Sequence, residues 1–425
     1  MDIHSILTGE EAEAVAVVVR EYDPARDRAR VEEVERRCEV GPSGKLCIFT
    51  DLLGDPVCRV RHSPAFRMLV AEVDGGDGEG KQIVGMIRGC IKTATCGKML
   101  ARGGGKIVSS LLDPPKPVPV YTKLAYILGL RVSPSHRRLG IATKLVESME
   151  EWFRENGAEY SYMATEKDNT ASLKLFVGKC GYTKFRTPAL LVNPVFAHPV
   201  STDSRRVTLI KLSLPDAELL YRLRLSTTEF FPRDIDKVLK NKLNLGTFVA
   251  VPRGSYRPEA WPGVAEFLAN PPDSWAVLSV WNSNDVFRFE IRGASVLRRS
   301  LCKTTRFIDR VLPFLKLPSV PNFFRPFGVH FLYGLAGEGP SATRMMRALC
   351  GHAHNLARAH GCCAVATEVA GSEPVRSGIP YWRRYSCAED IWCIKRLGED
   401  YSDGAVGDWT KSPAGPSIFV DPREV

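Results

Sequence analysis

The run Arg137-Arg138-Leu139-Gly140-Ile141-Ala142 sets two cations, a glycine and a small residue between an apolar strand pattern and a long helical one. A small-residue loop at a helix N-terminus offers an anion both unpaired backbone N–H groups and the positive end of the helix dipole. Gly140 permits close backbone approach, Ala142 keeps the first turn uncrowded, and Arg137 and Arg138 add charge. Arginine beside a helix N-terminus is unfavourable unless an anion offsets it, so these residues predict a diphosphate cradle. Other groupings carry less chemistry. Gly103 to Gly105 lack both the Walker spacing and a following Lys-Ser/Thr pair, and read as a loop. Cys90, Cys96 and His136 share no motif for covalent catalysis. His352, His354 and His360, at spacings of two and six, fall on different helix faces, and the cysteines make no paired CxxC pattern, so no metal site is expected.

The elements that must position the cradle follow from periodicity. Ala14 to Val19 reads as a buried strand, and Asp27 to Cys38 as a helix with Val31, Val34 and Cys38 on one face. Phe66 to Val73 and Ile83 to Ile91 read as strands around a turn at Asp74 to Gly80. Residues 92–119, with Arg102-Gly-Gly-Gly105 and Pro114 to Pro119, read as an insertion. An apolar run from Tyr121 to Val132 precedes a helix expected from Pro134 to about Asn156 and ended by Gly157. A strand (Glu159 to Ala164), a short helix (Thr170 to Val177) and a strand (Tyr182 to Arg186) complete an α/β pattern of α+β type.

The second half repeats this order. Val277 to Trp281 and Val286 to Ile291 are expected as strands joined by Asn282 to Asp285, with a third at Val329 to Leu335. A helix from Ser341 to His360, Gly361 and a strand from Cys362 follow. Pro134, Gly157 and Thr165-Glu166 thus have counterparts in Pro340, Gly361 and Thr367-Glu368, which reads as an internal duplication. No glycine stands where Gly140 would fall, so the second unit is expected to be degenerate. The organisation read from sequence is 13–200 with a flexible insertion at 92–119, a connecting segment and early helix at 201–245, a second unit at 246–400 and a tail at 401–425.

A chain of 425 residues exceeds what one core usually supports, and 44% apolar with 25% charged residues is an ordinary globular balance. A formal charge of +10 favours anionic partners, but no basic run with interleaved aromatics suggests sequence-specific nucleic-acid binding. The start lacks the pattern of an export signal, so the twelve cysteines are read as reduced thiols, and no stretch approaches a membrane span.

Arg137, Gly140 and Ala142 match the three fixed positions of the Arg/Gln-x-x-Gly-x-Gly/Ala signature of the GNAT acetyltransferase superfamily, which this segment resembles. Asn169, Ser172 and Leu175 resemble its later helix motif, and Cys180-Gly181-Tyr182 its Leu-Gly-Phe ending. The resemblance implies tandem GNAT-like domains, each a mixed, centrally splayed sheet flanked by helices, the second degenerate. It implies acetyl-CoA as cosubstrate, with its pyrophosphate on Arg137, Arg138, Leu139, Gly140, Ile141, Ala142 and Thr143. Its pantetheine arm would lie along Leu130, Arg131 and Val132, with Asn169, Ser172 and Phe176 alongside. Val18 to Asp23, Glu35 to Gly41, Leu130 to Tyr182 and Trp382 to Ile394 resemble the plant Hookless family of probable N-acetyltransferases. That resemblance implies a nuclear protein, with the cytoplasm as alternative, acting in hormone-regulated differential growth on histones or other proteins.

Acetyl transfer to an amine needs a base, because a lysine amine is mostly protonated at neutral pH. The candidates are Glu72, Tyr126 and Glu166. Where the superfamily commonly places a tyrosine as general acid, this chain has Phe176, which cannot donate a proton, leaving Tyr182, Tyr162 or water. A catalytically weak acyl-CoA sensor or chromatin-associated interaction protein is the alternative. The acceptor stays open between a protein lysine, an N-terminal amine and a small metabolite.

Overall fold

The computed structural model describes residues 16–39, 47–75, 80–100, 118–398 and 407–425. In chain order the first half contains β1 (Val17–Glu21), α1 (Pro24–Arg37), β2 (Cys47–Asp51), β3 (Ala65–Val73), β4 (Gln82–Leu100), β5 (Val118–Val132), α2 (Ile141–Glu155), β6 (Tyr160–Glu166), α3 (Thr170–Phe176) and β7 (Thr183–Arg186). Then come β8 (Ala189–Pro194), β9 (Val207–Lys211), α4 (Leu214–Arg224), α5 (Ile235–Lys240), β10 (Asn244–Pro252), α6 (Val264–Ala269), β11 (Trp275–Asn282) and β12 (Arg288–Arg292). The chain ends with α7 (Val296–Val311), β13 (Val329–Glu338), α8 (Ala342–Ala359), β14 (Ala364–Val369) and β15 (Asp390–Arg396).

These strands form two mixed sheets, ordered β1-β3-β4-β5-β6-β15-β7 and β8-β14-β13-β11-β10-β9, and a two-stranded ribbon, β12-β2. The duplication extends to individual hydrogen bonds. Parallel pairing runs from Leu124↔Tyr160 to Ile127↔Met163 in one sheet and from Val329↔Ala364 to Leu332↔Thr367 in the other. Five residues on from each start sits a left-handed glycine, Gly129 at φ 61° and Gly334 at φ 62°. After each long helix a second left-handed glycine, Gly157 or Gly361, turns the chain, and the equivalent bonds Ala158 N–H to Phe153 O and Cys362 N–H to Ala357 O close the cap. By this register Glu368 is the counterpart of Ala164, not of Glu166: the two Thr-Glu landmarks are offset by two residues and so keep the same strand face.

The two units exchange strands. β15 enters the first sheet between β6 and β7, while β8 pairs antiparallel with β14 in the second. The faces divide the core accordingly. α2 buries Leu145, Val146, Met149 and Phe153 against one face of the first sheet, and α8 buries Met346, Leu349 and Ala353 against the second. Between the sheets lies a shared aromatic layer drawn from both units, including Tyr162, Phe230, Trp281, Tyr333, Trp392 and Trp409. Trp281 is therefore core.

Three sequence expectations need correction. The helix expected from Pro134 is a single 3-10 turn, Pro134–His136, after which the chain extends before α2 starts at Ile141. The strands on either side of Asn282 to Asp285 do not pair: residues 283–285 turn the chain aside, and β12 pairs with β2. The expected insertion at 92–119 is strand at both ends, since β4 runs to Leu100 and β5 begins at Val118. Arg102 to Gly105, Pro114 to Pro117 and residues 76–79 of the expected turn lie outside the described residues.

Candidate active site

Two left-handed residues, Arg138 at φ 68° and Gly140 at φ 76°, shape the loop ahead of α2. Gly140 is the N-cap and brings no capping side chain; its carbonyl accepts the Lys144 N–H at 3.1 Å. The N–H groups of the first turn have no partner within a helix, and here they open onto exposed Arg137 to Gly140. A Cβ on Gly140 would meet nothing within 4 Å, so glycine is required there by backbone conformation and not by intramolecular crowding. Ile141, fully buried, fixes the helix start to the sheet, while Ala142 and Thr143 are half-buried. A polyanion fits this arrangement.

Beside the loop, β5 and β6 part after the Ile127↔Met163 pair, although β5 continues to Val132 and β6 to Glu166. The parting is set by a bulge at Gly129, marked by the register shift between Met86 and Arg88 on β4. Buried Arg88 braces it: Nη1 donates to Gly129 O at 3.4 Å, Nε to Pro56 O at 2.6 Å and Nη2 to Glu35 at 3.1 Å. Arg131 also donates to Glu35, at 3.1 Å. Burial alone would raise the Glu35 pKa, but Arg131 and Arg88 hold it below its ordinary value. Because the Arg131 guanidinium is engaged there, its contribution to the parted strands is through the backbone. Leu130 and Val132 flank it, half-buried.

The second unit has the same bulge but not the loop. Eight residues separate β5 from α2 (133–140), whereas three separate β13 from α8 (339–341). Its residual cavity, lined by Leu191, Val365, Thr367 and Ile379 among others, measures about 10 Å³, the lower bound for one water.

Asn169 caps α3 by accepting the Ser172 N–H at 3.2 Å, so both residues of that motif serve the helix end. Phe176 is buried and meets Tyr182 edge to face, ring centroids 5.2 Å apart. Tyr182 is itself buried in the α2-side core and shares a 2.8 Å hydrogen bond with Ser161, so it is withdrawn as general acid. Glu72 is withdrawn as base: its carboxylate is ion-paired with Arg20, which also holds Asp27, and that hydrogen bond keeps its pKa low.

Tyr126 and Glu166 instead lie on the face of the first sheet that meets the second unit, a seam we call the cleft. Tyr126 lies over Tyr162, centroids 4.5 Å apart, and among the charges acting on its hydroxyl are Glu424, Arg59, Glu368 and Asp390. Asp390 sits opposite Glu166 in the β6–β15 ladder. Trp392 on β15 donates from Nε1 to Glu368 Oε1 on β14, 2.7 Å, joining the units across the cleft. Glu424 accepts from Lys92 at 2.7 Å and from the Tyr162 hydroxyl. Tyr126, Arg59, Glu166, Glu368 and Asp390 are each partly open to solvent. Yet the protein surrounds Glu368 enough that burial, then the nearby Asp390, pushes its pKa up to about 8 despite the Trp392 bond. Burial likewise lifts Asp390 to about 6, with Glu166 adding to the rise. A group that is both accessible and poorly hydrated belongs on a cleft wall. Of these, Arg59, Glu368, Asp390 and Glu424 escaped sequence reasoning. Only Glu368 had a signal, its place in the repeated Thr-Glu landmark.

A helix N-terminus shaped for a diphosphate, strands parted by a braced bulge and a titratable cleft beyond them define an acyl-CoA-dependent acyltransferase of the GNAT class. Comparison with known proteins agrees. The model of the Acetyltransferase (GNAT) family matches residues 48–182. The chain is 68% identical over 413 residues to the probable N-acetyltransferase HLS1-like of Arabidopsis thaliana, covering 96% of this chain and 99% of that one. It is 40% identical over 447 residues to the acetyl transferase GW6a of Oryza sativa subsp. japonica, covering 96% and 98%. Among solved structures, N-myristoyltransferase of Saccharomyces cerevisiae with bound myristoyl-CoA shares the fold at TM-score 0.50 and 10% identity, over 89% of this chain and 79% of that one. The chain belongs to the plant HLS1, or Hookless, family of probable N-acetyltransferases.

Proposed function

We propose that this protein transfers an acetyl group from acetyl-CoA to an amine on a protein substrate, with Glu368 as general base. The observation that carries the reading is the cluster of Glu166, Glu368, Asp390 and Glu424 beside the parted β5 and β6, in a chain whose overall formal charge is +10. Glu166 and Asp390 offer carboxyls to an amine, such as a histone or other protein lysine, and a carboxyl with a pKa of about 8 matches the duty of removing its proton.

When bound, acetyl-CoA supplies the activated acetyl group. Arg137 to Thr143 would hold its diphosphate, and the backbone of Leu130 to Val132 its arm, with Gly129 setting where the strands part. Glu368 takes the amine proton, and its bond from Trp392 keeps the carboxyl aimed across the cleft. Tyr126, whose pKa burial first, then Glu424, holds well above the usual phenol, is protonated and is the hydroxyl we assign to give a proton to the leaving thiolate. Phe176, buried and without a proton to give, takes no part in proton transfer. By family resemblance we place this activity in the nucleus and in hormone-regulated growth.

The test is to incubate the protein with acetyl-CoA and core histones, following thiol release and acetyl-lysine by mass spectrometry. Time-dependent acetyl-lysine supports the reading. Intact cofactor binding without transfer to histones or a mixed amine-bearing peptide pool would favour an acyl-CoA sensor instead.

A further inference from the structure

Helix α7 is docked the wrong way round for a globular helix. Its polar side faces the protein. Asp309, fully buried, accepts from the Ala197 N–H at 2.7 Å, from His198 Nδ1 at 2.5 Å and from the Ser319 hydroxyl, and Arg306 donates to Val195 O at 2.6 Å. Its apolar side faces solvent. Leu297, Leu301, Phe307 and Val311 are 79%, 62%, 67% and 55% exposed, and Phe314, just past the helix end, 73%. Burying such side chains is worth about 1.5–3 kcal/mol each, so a face of this kind is normally turned inward. In the chain α7 lies between β12 and β13 and is held to residues 195–198 through Asp309 and Arg306.

The charge around this face decides what could cover it. Arg298, Arg299, Lys303 and Arg310 are exposed along α7, Lys316 follows, and between residues 293 and 318 the one acid is Asp309, which is spent on the anchor. A second copy of the chain would oppose cation to cation, which disfavours a symmetric pairing. A lipid surface would accept the charge, but Ser300 and Thr304 fall within the apolar arc between Phe307 and Leu301, which discrete pockets tolerate better than hydrocarbon. The remaining occupant is a protein with an apolar groove and an acidic rim, the arrangement in which a basic amphipathic helix supplies apolar anchors along one face, here Leu297, Leu301 and Phe307. Such a groove is opened by calcium in EF-hand sensors, where flexible methionines adapt to the entering side chains.

We propose that α7 is a docking helix for a calcium-loaded EF-hand sensor protein, with Leu297, Leu301 and Phe307 entering the groove and Arg298, Lys303 and Arg310 facing its acidic rim. One lobe can cover the apolar face while Asp309 and Arg306 keep the helix anchored. The site lies outside the acetylation cleft, so binding makes the protein's position or availability calcium-dependent without contributing to the chemistry.

The test uses the full chain, with calmodulin as the probe, in calorimetric titrations with calcium and with excess chelator. The expected result is a saturable one-to-one complex in calcium only, weakened by added salt and at least about tenfold by Leu301→Glu with Phe307→Glu. Both substitutions fall on exposed side chains, and unchanged acetyl-CoA binding and thermal unfolding confirm an intact fold. Absence of a complex in calcium, a complex that persists in chelator, or one indifferent to Leu301→Glu overturns the proposal. So does flotation with phosphatidylserine vesicles, or self-association, that depends on Leu301 while calmodulin fails to bind.

Discussion

Glu368→Gln removes one proton-accepting group and little else, since glutamine keeps the side-chain shape and can still accept the Trp392 N–H through its amide oxygen. With a pKa of about 8, Glu368 is ionised in roughly a tenth of molecules near pH 7 and half near pH 8. If it is the base, kcat/KM under subsaturating amine rises about tenfold per pH unit below that midpoint and flattens above it. Glu368→Gln should cost about 10²–10⁴ in rate and flatten this limb, the range typical of a lost general base. The assay is acetyl transfer to a fixed peptide across about pH 6–9, with cofactor affinity measured in parallel. The same substitution has a stability signature of known sign. A carboxyl whose folded pKa is raised costs stability as pH climbs from its ordinary value of 4.5 to about 8, because the unfolded chain ionises the group freely while the folded protein keeps it protonated. Glu368→Gln should therefore unfold at a higher temperature than the parent above about pH 8, with little gain near pH 5. A variant that retains the parental rate and pH profile would refute the assignment of the base.

Other perturbations probe the scaffold. Gly129→Ala places a Cβ 2.3 Å from Arg88 Nη1 on a backbone with φ 61°, so it should lower both thermal stability and acetyl-CoA affinity. Arg186 donates to both oxygens of Glu229 at 2.7 Å, and Trp409 Nε1 joins them, all buried. Arg186→Met should cost about 3–5 kcal/mol in chemical denaturation by leaving the Glu229 charge unpaired. Because β15 completes the first sheet and β8 the second, residues 16–200 expressed alone should fail to unfold cooperatively, and adding residues 201–425 as a separate chain should restore a two-part complex.

Much of this was legible in the sequence where local chemistry dominates. The cradle was readable because Gly140 and its neighbours announce a backbone conformation and a charge, both local properties. The duplicated long helices were readable because each ends in a glycine that the left-handed cap requires. Strand exchange was not readable, since β8 and β15 are short apolar runs whose partners lie 170 to 180 and 224 to 236 residues away, and periodicity says nothing of pairing at that distance. The catalytic candidates suffered for the same reason. Glu72 looked promising as an acid within a strand, but its face and its Arg20 partner are tertiary facts. Glu368 was passed over because it belongs to the unit without a cradle, although strand register and the Trp392 bond bring it to the cleft. α7 passed unnoticed as well, since an amphipathic pattern in a sequence does not reveal which side is turned to solvent.

The central claim is that acetyl-CoA binds at the loop before α2. The direct measurement is calorimetric titration of the purified chain with acetyl-CoA beside Gly140→Trp, whose exposed side chain meets no protein atom near its Cβ but stands in the mouth of the cradle. The account predicts one saturable site in the parent and loss of at least about tenfold affinity in a variant that still unfolds cooperatively. Equal affinity in the two, or a folded parent that binds no acetyl-CoA at millimolar concentration, would contradict it.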